Sequence, residues 1–426
     1  MNNRTQWFTE ARFGMFIHYS LFSLVSRNEW CRGAERFDDA EYHKLQQRFV
    51  CDRWDPVHWA ELARRAGMKY SVLTAKHHEG FCLFDSRHTG FKSICAPVGR
   101  DLVRDYLGAF REAGLEAGLY YSLIDWDHPE YTLDRLHPHR PHADNNRPLG
   151  ENPEPHRDMA KYREYMFAQI RELLTGYGKI PLMWFDFSFD EKGPEDWDAA
   201  NLLKMIRSLQ PDILLNSRLE RGHLEGRQSP YSGDFFTPEQ FVPDEGFPVP
   251  WESCVTLNNN WGYNRNDSDF KTPEQIIRLL VECVSKGGNL LLNIGPTPRG
   301  DVQPEAAAIL EDIGRWMELN SASIHSCGNA GLPKPEWGRW TRNGDKLYAH
   351  IFTPPAGPLV LKGWQGQIEC ATLLADGTNL DLTTPWMFAE SNCTDAYITL
   401  PTTTRALDPA DTVIELTLKN GAKLRS

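Results

Sequence analysis

DPVHWAELARRAGMKYSVLTA (residues 55–75) and LVRDYLGAFREAGLEAGLYYSLI (residues 102–124) are two copies of one unit: amphipathic helix, glycine stop, apolar strand. In the first copy, Asp55-Pro56 reads as an N-cap with proline in the first turn. Trp59, Leu62, Ala63 and Ala66 keep helical spacing, and Gly67 ends the helix before a strand over 70–75. In the second, residues 102–113 are amphipathic, Gly114 stops them, and 118–124 is strand-like. Working outward, further apolar strands read at 13–19 (FGMFIHY), 181–187 (PLMWFDF), 213–217 (ILLNS) and 289–294 (NLLLNI). Thr272-Pro273-Glu274-Gln275 is a capping box opening a long helix, IIRLLVECVSKGG. Strands alternating with helices over some 325 residues predict a parallel sheet, and the length suits a TIM-like (β/α)8 barrel. Six strands are legible rather than eight, so the barrel is expected to be irregular. A doubly wound sheet is the alternative, but no G-x-G-x-x-G follows the first strand.

Beyond about residue 328 the pattern changes. Short runs at 347–352, 359–361, 368–374, 396–400 and 412–418 are rich in Val, Ile, Thr and Leu and are separated by Gly, Pro, Asn and Asp. We expect a C-terminal antiparallel β-sandwich over 328–426 after a catalytic barrel over 1–327, with the Pro/Gly-rich residues 328–335 as the junction.

At 41% apolar and 24% charged residues the chain has material for a large core and is not of disordered type. Fifty-eight acidic against 46 basic residues leave −12, which argues against sequence-independent nucleic-acid binding. No stretch approaches the roughly 20 apolar residues of a membrane span. The N-terminus has no apolar signal-peptide core. The nine cysteines are scattered, with no C-x-x-C pair, and read as small buried residues in a reducing compartment. The expected location is therefore cytoplasmic, or secreted or periplasmic if a leader has been removed.

The informative positions are polar groups at the ends of apolar runs, since burying them without purpose is costly. His18 ends the first strand, and His77, His78 and Glu79 the second. Tyr120 and Tyr121 lie in the third, Asp186 ends the fourth, and Asn216 and Arg218 the fifth. Singly, a strand-end His is an ordinary structural residue, Asp186 a turn former and Arg218 a surface ion-pair partner. Their shared location at one end of the strands points to a site. Glu239 lies in Thr237-Pro238-Glu239-Gln240, the same four letters as the capping box at Thr272, where it would be an acid favoured by a helix dipole. Here, however, Pro243, Pro248 and Pro250 forbid the helix. An ordered loop or single turn is expected instead, projecting Glu239 into the site, with Glu252 as the rival carboxylate. Five histidines between 128 and 156 (His128, His137, His139, His142, His156) sit in a proline-rich loop without fixed ligand geometry and read as surface residues able to rim a pocket. Among 14 tryptophans, Trp30 beside Glu29, Trp184 near Asp186, and Trp251 and Trp261 near the acidic loop are candidate platforms for sugar faces.

At these residues the chain resembles the α-L-fucosidases of glycoside hydrolase family 29. The similarity runs from Trp7 to about Ser326 and is carried by WFTEARFGMFIHYS, AKHHEGFCLFDSRHT, LMWFDF, GDFFTPEQF, WGYNRND and VSKGGNLLLNIGPTPRGDVQP. It implies a retaining mechanism on an irregular barrel with a β-sandwich behind it. It matches Asp186 to the nucleophile and Glu239 to an acid/base position that varies across the family, and it places His18, Glu29, Trp30, His77, His78, Tyr120, Trp184 and Arg218 in the fucose pocket. Departures are IHYS for the usual IHWG, EWC for EWY, and Phe187 where a Gly often follows the Asp. Tyr19, Cys31 and Phe187 thus bear on pocket walls and aglycone preference more than on the chemistry.

Retention needs two carboxyls about 5–5.5 Å apart, one attacking and one donating a proton. Asp186 needs compensating donors, such as Arg218 or a histidine, and Glu239 needs an apolar or acidic surrounding. The C5 methyl of fucose asks for apolar wall, to which Phe187 or Phe235 could contribute. The expected partner is a fucosylated oligosaccharide or glycoconjugate cleaved at its terminal fucose, with no cofactor and no metal. A homo-oligomer stays open. The competing readings are a metal-dependent hydrolase using His18, His77 and His78, a non-catalytic fucose-binding protein, and a glycosidase for another 6-deoxy or galacto-configured sugar.

Overall fold

The structure, a computed structural model, describes residues 3–139, 156–189, 192–221, 228–383, 386, 393–401 and 407–422. Seven parallel strands form one curled sheet: β1 (Phe13–Ile17), β2 (Tyr70–Lys76), β3 (Glu116–Ser122), β4 (Leu182–Asp186), β5 (Leu214–Leu215), β6 (Glu252–Thr256) and β7 (Asn289–Ile294). Their order is β5-β4-β3-β2-β1-β7-β6. Strand side chains alternate between two cores. Phe16, Val72, Tyr120, Trp184, Leu214, Cys254 and Leu291 meet inside the curl. Met15, Leu73, Leu119, Met183, Leu215, Val255 and Leu292 face outward into the core shared with the helices. The helix of the opening unit runs Pro56–Arg65, with Asp55 capping His58 N–H, and Leu102–Glu112 and Pro273–Ser285 follow the same logic. Both bonds of the Thr272–Gln275 capping box are made.

β6 is the strand that the apolar pattern does not reveal. ESCVT is polar at three of five positions and follows a proline-rich stretch, yet all five residues are buried. Nor do the seven strands close by themselves. Between the edges β5 and β6 lie extended residues 234–239, bridged in parallel to both: Asn216 with Phe235, Phe236 with Trp251, Glu239 with Cys254. Pro238 in this segment and Pro250 opposite it fit the pairing because only their carbonyls are used: Phe236 N–H donates to Pro250 O (3.0 Å) and Cys254 N–H to Pro238 O (3.1 Å). The loop or single turn expected around Glu239 is thus an extended closing segment.

From Gly328 onward the structure is antiparallel. β8 (Gly328–Asn329), β9 (Gly338–Asn343), β10 (Lys346–Ile351), β12 (Ile368–Leu373) and β14 (Thr412–Leu418) form a sheet ordered β12-β14-β10-β9-β8, and β11 (Leu359–Leu361) pairs with β13 (Ala396–Ile398). They enclose their own core of Trp340, Leu347, Ile351, Trp364, Ile398 and Ile414. All five expected strands are present. β8 lies inside the stretch read as a junction, and β9 (GRWTRN) is too polar to announce itself. Arg278, on the helix Pro273–Ser285, donates to the carbonyls of Phe352 (3.0 Å), Pro409 (3.1 Å) and Ala410 (2.9 Å), so the sheet packs against the barrel. All nine cysteines are free thiols. Among the described residues no helix is long and apolar enough to cross a membrane.

Candidate active site

A narrow cavity of about 50 Å³ opens at the C-terminal ends of the strands, where the alternation that fills the curl runs out into polar side chains. Hollows of about 650 and 510 Å³ lie elsewhere, lined mainly by surface residues such as Arg64 and Lys69, or Asp244 and Lys334. The small cavity collects the chemistry.

Arg218 is its centre. Placed by the turn Ser217–Leu219 that follows β5, its guanidinium spreads over the Trp184 ring, 4.4 Å from the centroid. One terminal nitrogen donates to Asp186 Oδ1 (2.8 Å) and the other to Glu239 Oε2 (2.8 Å). Nε donates to Thr237 Oγ1 (3.0 Å) in the closing segment. The structure thus brings Asp186, from the end of β4, and Glu239, some fifty residues on, to two nitrogens of one side chain. Burial works against the Arg218 charge, but Glu239 and Asp186 outweigh it, so its pKa is raised and it stays cationic. Asp186 Oδ2 also accepts from Tyr120 Oη (2.8 Å), and burial and Asp186 both raise the phenol pKa, keeping it a donor. The Asp186 side chain is 13% exposed and that of Glu239 34%, so Glu239 is the one that reaches toward the mouth. The bonded neighbour of Glu239 is a cation, with Asp186 on the same guanidinium and Glu29 as a further acidic neighbour.

Three histidines line the cavity, and each turns Nδ1 to the protein. His18 Nδ1 meets Asn293 Oδ1 (2.7 Å). Asn293 Nδ2 donates to Trp261 O (2.8 Å), so its oxygen is the acceptor and His18 carries its proton on Nδ1. His78 Nδ1 meets Ser122 Oγ (2.7 Å), whose proton goes to Ile124 O (2.6 Å), giving the same tautomer. His77 Nδ1 faces Glu79 Oε2 at 3.4 Å. Burial first, then neighbouring His77, lowers the pKa of His18 and His78 well below 6.5, so both are neutral with Nε2 free to accept. His78 Nε2 lies 3.9 Å from Asp186 Oδ2. Glu29 Oε2 accepts from Gly262 N–H (2.8 Å), and burial raises its pKa against that bond. Trp30 packs on His78 (5.1 Å between centroids) and edge-on to Phe187 (5.6 Å).

Of the residues expected in the pocket, Phe235 packs instead on Phe8 in the inner core (4.6 Å between centroids), and Glu252 also lies apart. It begins β6, is fully buried beneath Trp184, and accepts from Trp184 Nε1 (3.1 Å) and Tyr70 Oη. Burial raises its pKa to about 7, against these two bonds and Arg218. Of the three departures from the family pattern, only Phe187 reaches the cavity. Tyr19 stacks on Trp54 in the outer core, and Cys31 is buried in the first turn of the helix Cys31–Ala34. Trp261 lines the cavity, but Trp251 is buried against Phe247. In the histidine-rich loop, His137 is buried rather than surface and His139 pairs with Asp39 (3.0 Å), while His142 lies outside the described residues. Phe16, Cys254 and Asn293 were not singled out in the sequence. Inward alternation in β1 and β7 is the signal that could have found Phe16 and Asn293, whereas Cys254 lies in β6, which no apolar pattern shows. Among the described residues no group of three or more His, Cys, Asp or Glu has the geometry to hold a metal ion.

Comparison with known proteins gives one answer. The family model described as alpha-L-fucosidase matches residues 1–322. The plasma alpha-L-fucosidase of Pongo abelii is 30% identical over 421 residues, covering 91% of this chain and 84% of that protein. Alpha-L-fucosidase isoenzyme 1 from Paenibacillus thiaminolyticus superposes with a TM-score of 0.91 at 47% identity, over 98% of this chain and 99% of that one. A trapped covalent intermediate of a glycoside hydrolase family 29 alpha-L-fucosidase from Bacteroides thetaiotaomicron, in complex with 2-fluoro-fucosyl fluoride, gives 0.85 at 28% identity, covering 98% and 97%.

Proposed function

From the premise that the chain belongs to the alpha-L-fucosidase family of glycoside hydrolases, we propose that it removes terminal α-L-fucose from fucosylated oligosaccharides with retention, through a covalent fucosyl–enzyme ester on Asp186. The observation that carries this reading is the pair of carboxylates held by one guanidinium in one cavity at the C-terminal ends of the strands.

Asp186, less exposed and doubly bonded, attacks the anomeric carbon. Glu239, nearer the mouth, keeps Oε2 on Arg218 and uses Oε1 to protonate the departing oxygen. Formation of the ester removes the Asp186 charge, so Arg218 is left with one anionic partner. That favours Glu239 as carboxylate at the moment it must take a proton from water. The neutral Nε2 atoms of His18 and His78 accept sugar hydroxyls, and Phe187 and Phe16 supply apolar wall.

Hydrolysis of nitrophenyl α-L-fucoside, beside α-L-rhamnoside and galactosides, tests the substrate. Asp186→Gly is expected to lower kcat by about 10³-fold or more without unfolding the protein. Azide should rescue Glu239→Ala and yield a fucosyl azide. Rescue of Glu252→Ala instead, or near-native turnover by Asp186→Gly, refutes the assignment.

A further inference from the structure

Among the described residues Glu79 is a buried carboxylate that the mechanism above does not use, and neither of its oxygens has a hydrogen-bond partner. The Nδ1 of His77 lies 3.4 Å from Oε2 and is itself buried and without another partner. A tight turn sets them face to face. Gly80 N–H donates to His77 O (3.0 Å), Trp126 N–H to His78 O (2.8 Å), and Arg32 to the Glu79 carbonyl (2.5 Å). Gly80 adopts φ +84° under Asp125, where a Cβ would come within 2.4 Å of the carboxylate. Arg32 does not neutralise the Glu79 side chain, since its guanidinium is bonded to Asp39 (2.9 Å) and Asp127 (3.0 Å).

The rest of the surroundings fix the His77 ring plane but not its polarity. Tyr120 stacks on one face at 5.5 Å and 15°, and Phe22 meets the ring edge-on at 5.2 Å. A half-turn of the imidazole keeps these packing contacts and exchanges nitrogen for carbon at the cavity. His18 and His78 avoid that ambiguity through Asn293 and Ser122. For His77 Nδ1 the facing carboxylate is Glu79, while Glu29 is a second carboxylate that interacts with the ring.

We propose that Glu79 is a positioning residue: it draws the His77 proton to Nδ1 and so presents Nε2 to the cavity as an acceptor for one sugar hydroxyl. The cavity then offers three imidazole acceptors held in the same sense, matched to a triol. The assignment rests on the fucosidase reading above. Its tautomer arm does not.

The probes are L-fucose and its 2-, 3- and 4-deoxy forms, measured as competitive inhibitors of nitrophenyl α-L-fucoside hydrolysis. Glu79→Leu is expected to raise the inhibition constant of L-fucose roughly tenfold, with kcat falling less, as loss of uniform binding requires. For one deoxy sugar, which lacks the hydroxyl that His77 reads, the rise should vanish. Glu79→Gln keeps an acceptor for Nδ1–H and should restore the constant to within about threefold of native. Equal losses for every sugar, or none, overturn the proposal. If Glu79→Leu does not fold, the ring ¹⁵N shifts of His77 in the native chain and in Glu79→Gln decide: protonation at Nδ1 in both supports it, and protonation at Nε2 ends it. A native chain that neither hydrolyses the fucoside nor binds L-fucose refutes the function while leaving the tautomer result standing.

Discussion

Phe187 carries a φ of +86°, a conformation that glycine adopts freely and a phenylalanine does not. It directly follows Asp186, and its ring packs edge-on to His78 (4.8 Å) and Trp30 (5.6 Å) at the cavity wall. Strain of about 1–2 kcal/mol at a wall residue next to the proposed nucleophile is the cost of an aromatic surface there. Comparing two truncations separates strain from lost packing. Elsewhere in a chain alanine is preferred over glycine, but at this position Phe187→Gly should be more stable than Phe187→Ala by about 1 kcal/mol in urea unfolding. An alanine variant equal to or better than the glycine variant removes the strain. Both variants should raise KM for fucosides and change the ranking of leaving groups, because the wall is gone in each. The sequence alone shows an unusual residue here. That Tyr19 and Cys31, equally unusual by sequence, face away is set by strand alternation and a short helix, which no motif displays.

At the level of elements, the barrel's repeating units are legible because helix period, cap and glycine stop agree in each, as at Asp55 and Thr272. The closing region is not legible. β6 reads as polar because its Glu and Ser are buried by partners contributed from distant positions, Tyr70 and the Phe241 carbonyl among them. Residues 234–239 read as a failed helix because a capping-box sequence is used there for a different end. Asp234 anchors that segment. Its oxygens accept from Arg4 and Arg207 (2.6 Å each) and from Leu215 N–H (2.9 Å), while its own N–H donates to Leu215 O (2.6 Å). Gly233 makes the approach possible, since a Cβ there would lie 2.3 Å from the Leu215 carbonyl. Asp234→Ala takes the carboxylate from two arginines, which keep only backbone carbonyls (Pro211 and Ile213), and the side-chain acceptor from Leu215 N–H, and should cost about 2–3 kcal/mol. Because Glu239 lies five residues along the same segment, kcat/KM should fall as well. Loss of stability with full activity would mean that the segment's anchor and the carboxylate are uncoupled.

On the scale of the whole molecule, the outer core of the barrel reaches into the C-terminal sheets through Tyr348, Ala410 and Val413, beside the core those sheets enclose, and residues 325–328 add a polar strap. Ser326 N–H donates to Glu10 O (2.9 Å), Arg12 Nε to Cys327 O (2.6 Å), and His325 Nδ1 to Ala11 O (2.9 Å). A composition change near 328 announces a second unit, but nothing in it announces how firmly the first holds the second, because every acceptor in the strap is a backbone carbonyl. We propose that the two units, divided at 327 and 328, unfold together and that His325 makes their junction acid-sensitive. Burial, then Lys69, lowers the His325 pKa from 6.5 to about 4, against its bonds to the Ala11 and Gly67 carbonyls. Above pH 6.5 neither the folded nor the unfolded chain protonates it. Between 6.5 and 4 the unfolded chain takes up a proton that the folded chain refuses, so stability falls by up to about 1.4 kcal/mol per pH unit, roughly 2–3 kcal/mol in all, and falls no further on this account below pH 4. His325→Gln keeps a donor for the Ala11 carbonyl and removes the titration. Its stability relative to the native chain should therefore rise steadily as the pH is lowered through that window and stay level above it. A difference between the two chains that does not change with pH, measured by urea unfolding at several values from 8 to 4, removes His325 from the account of acid sensitivity.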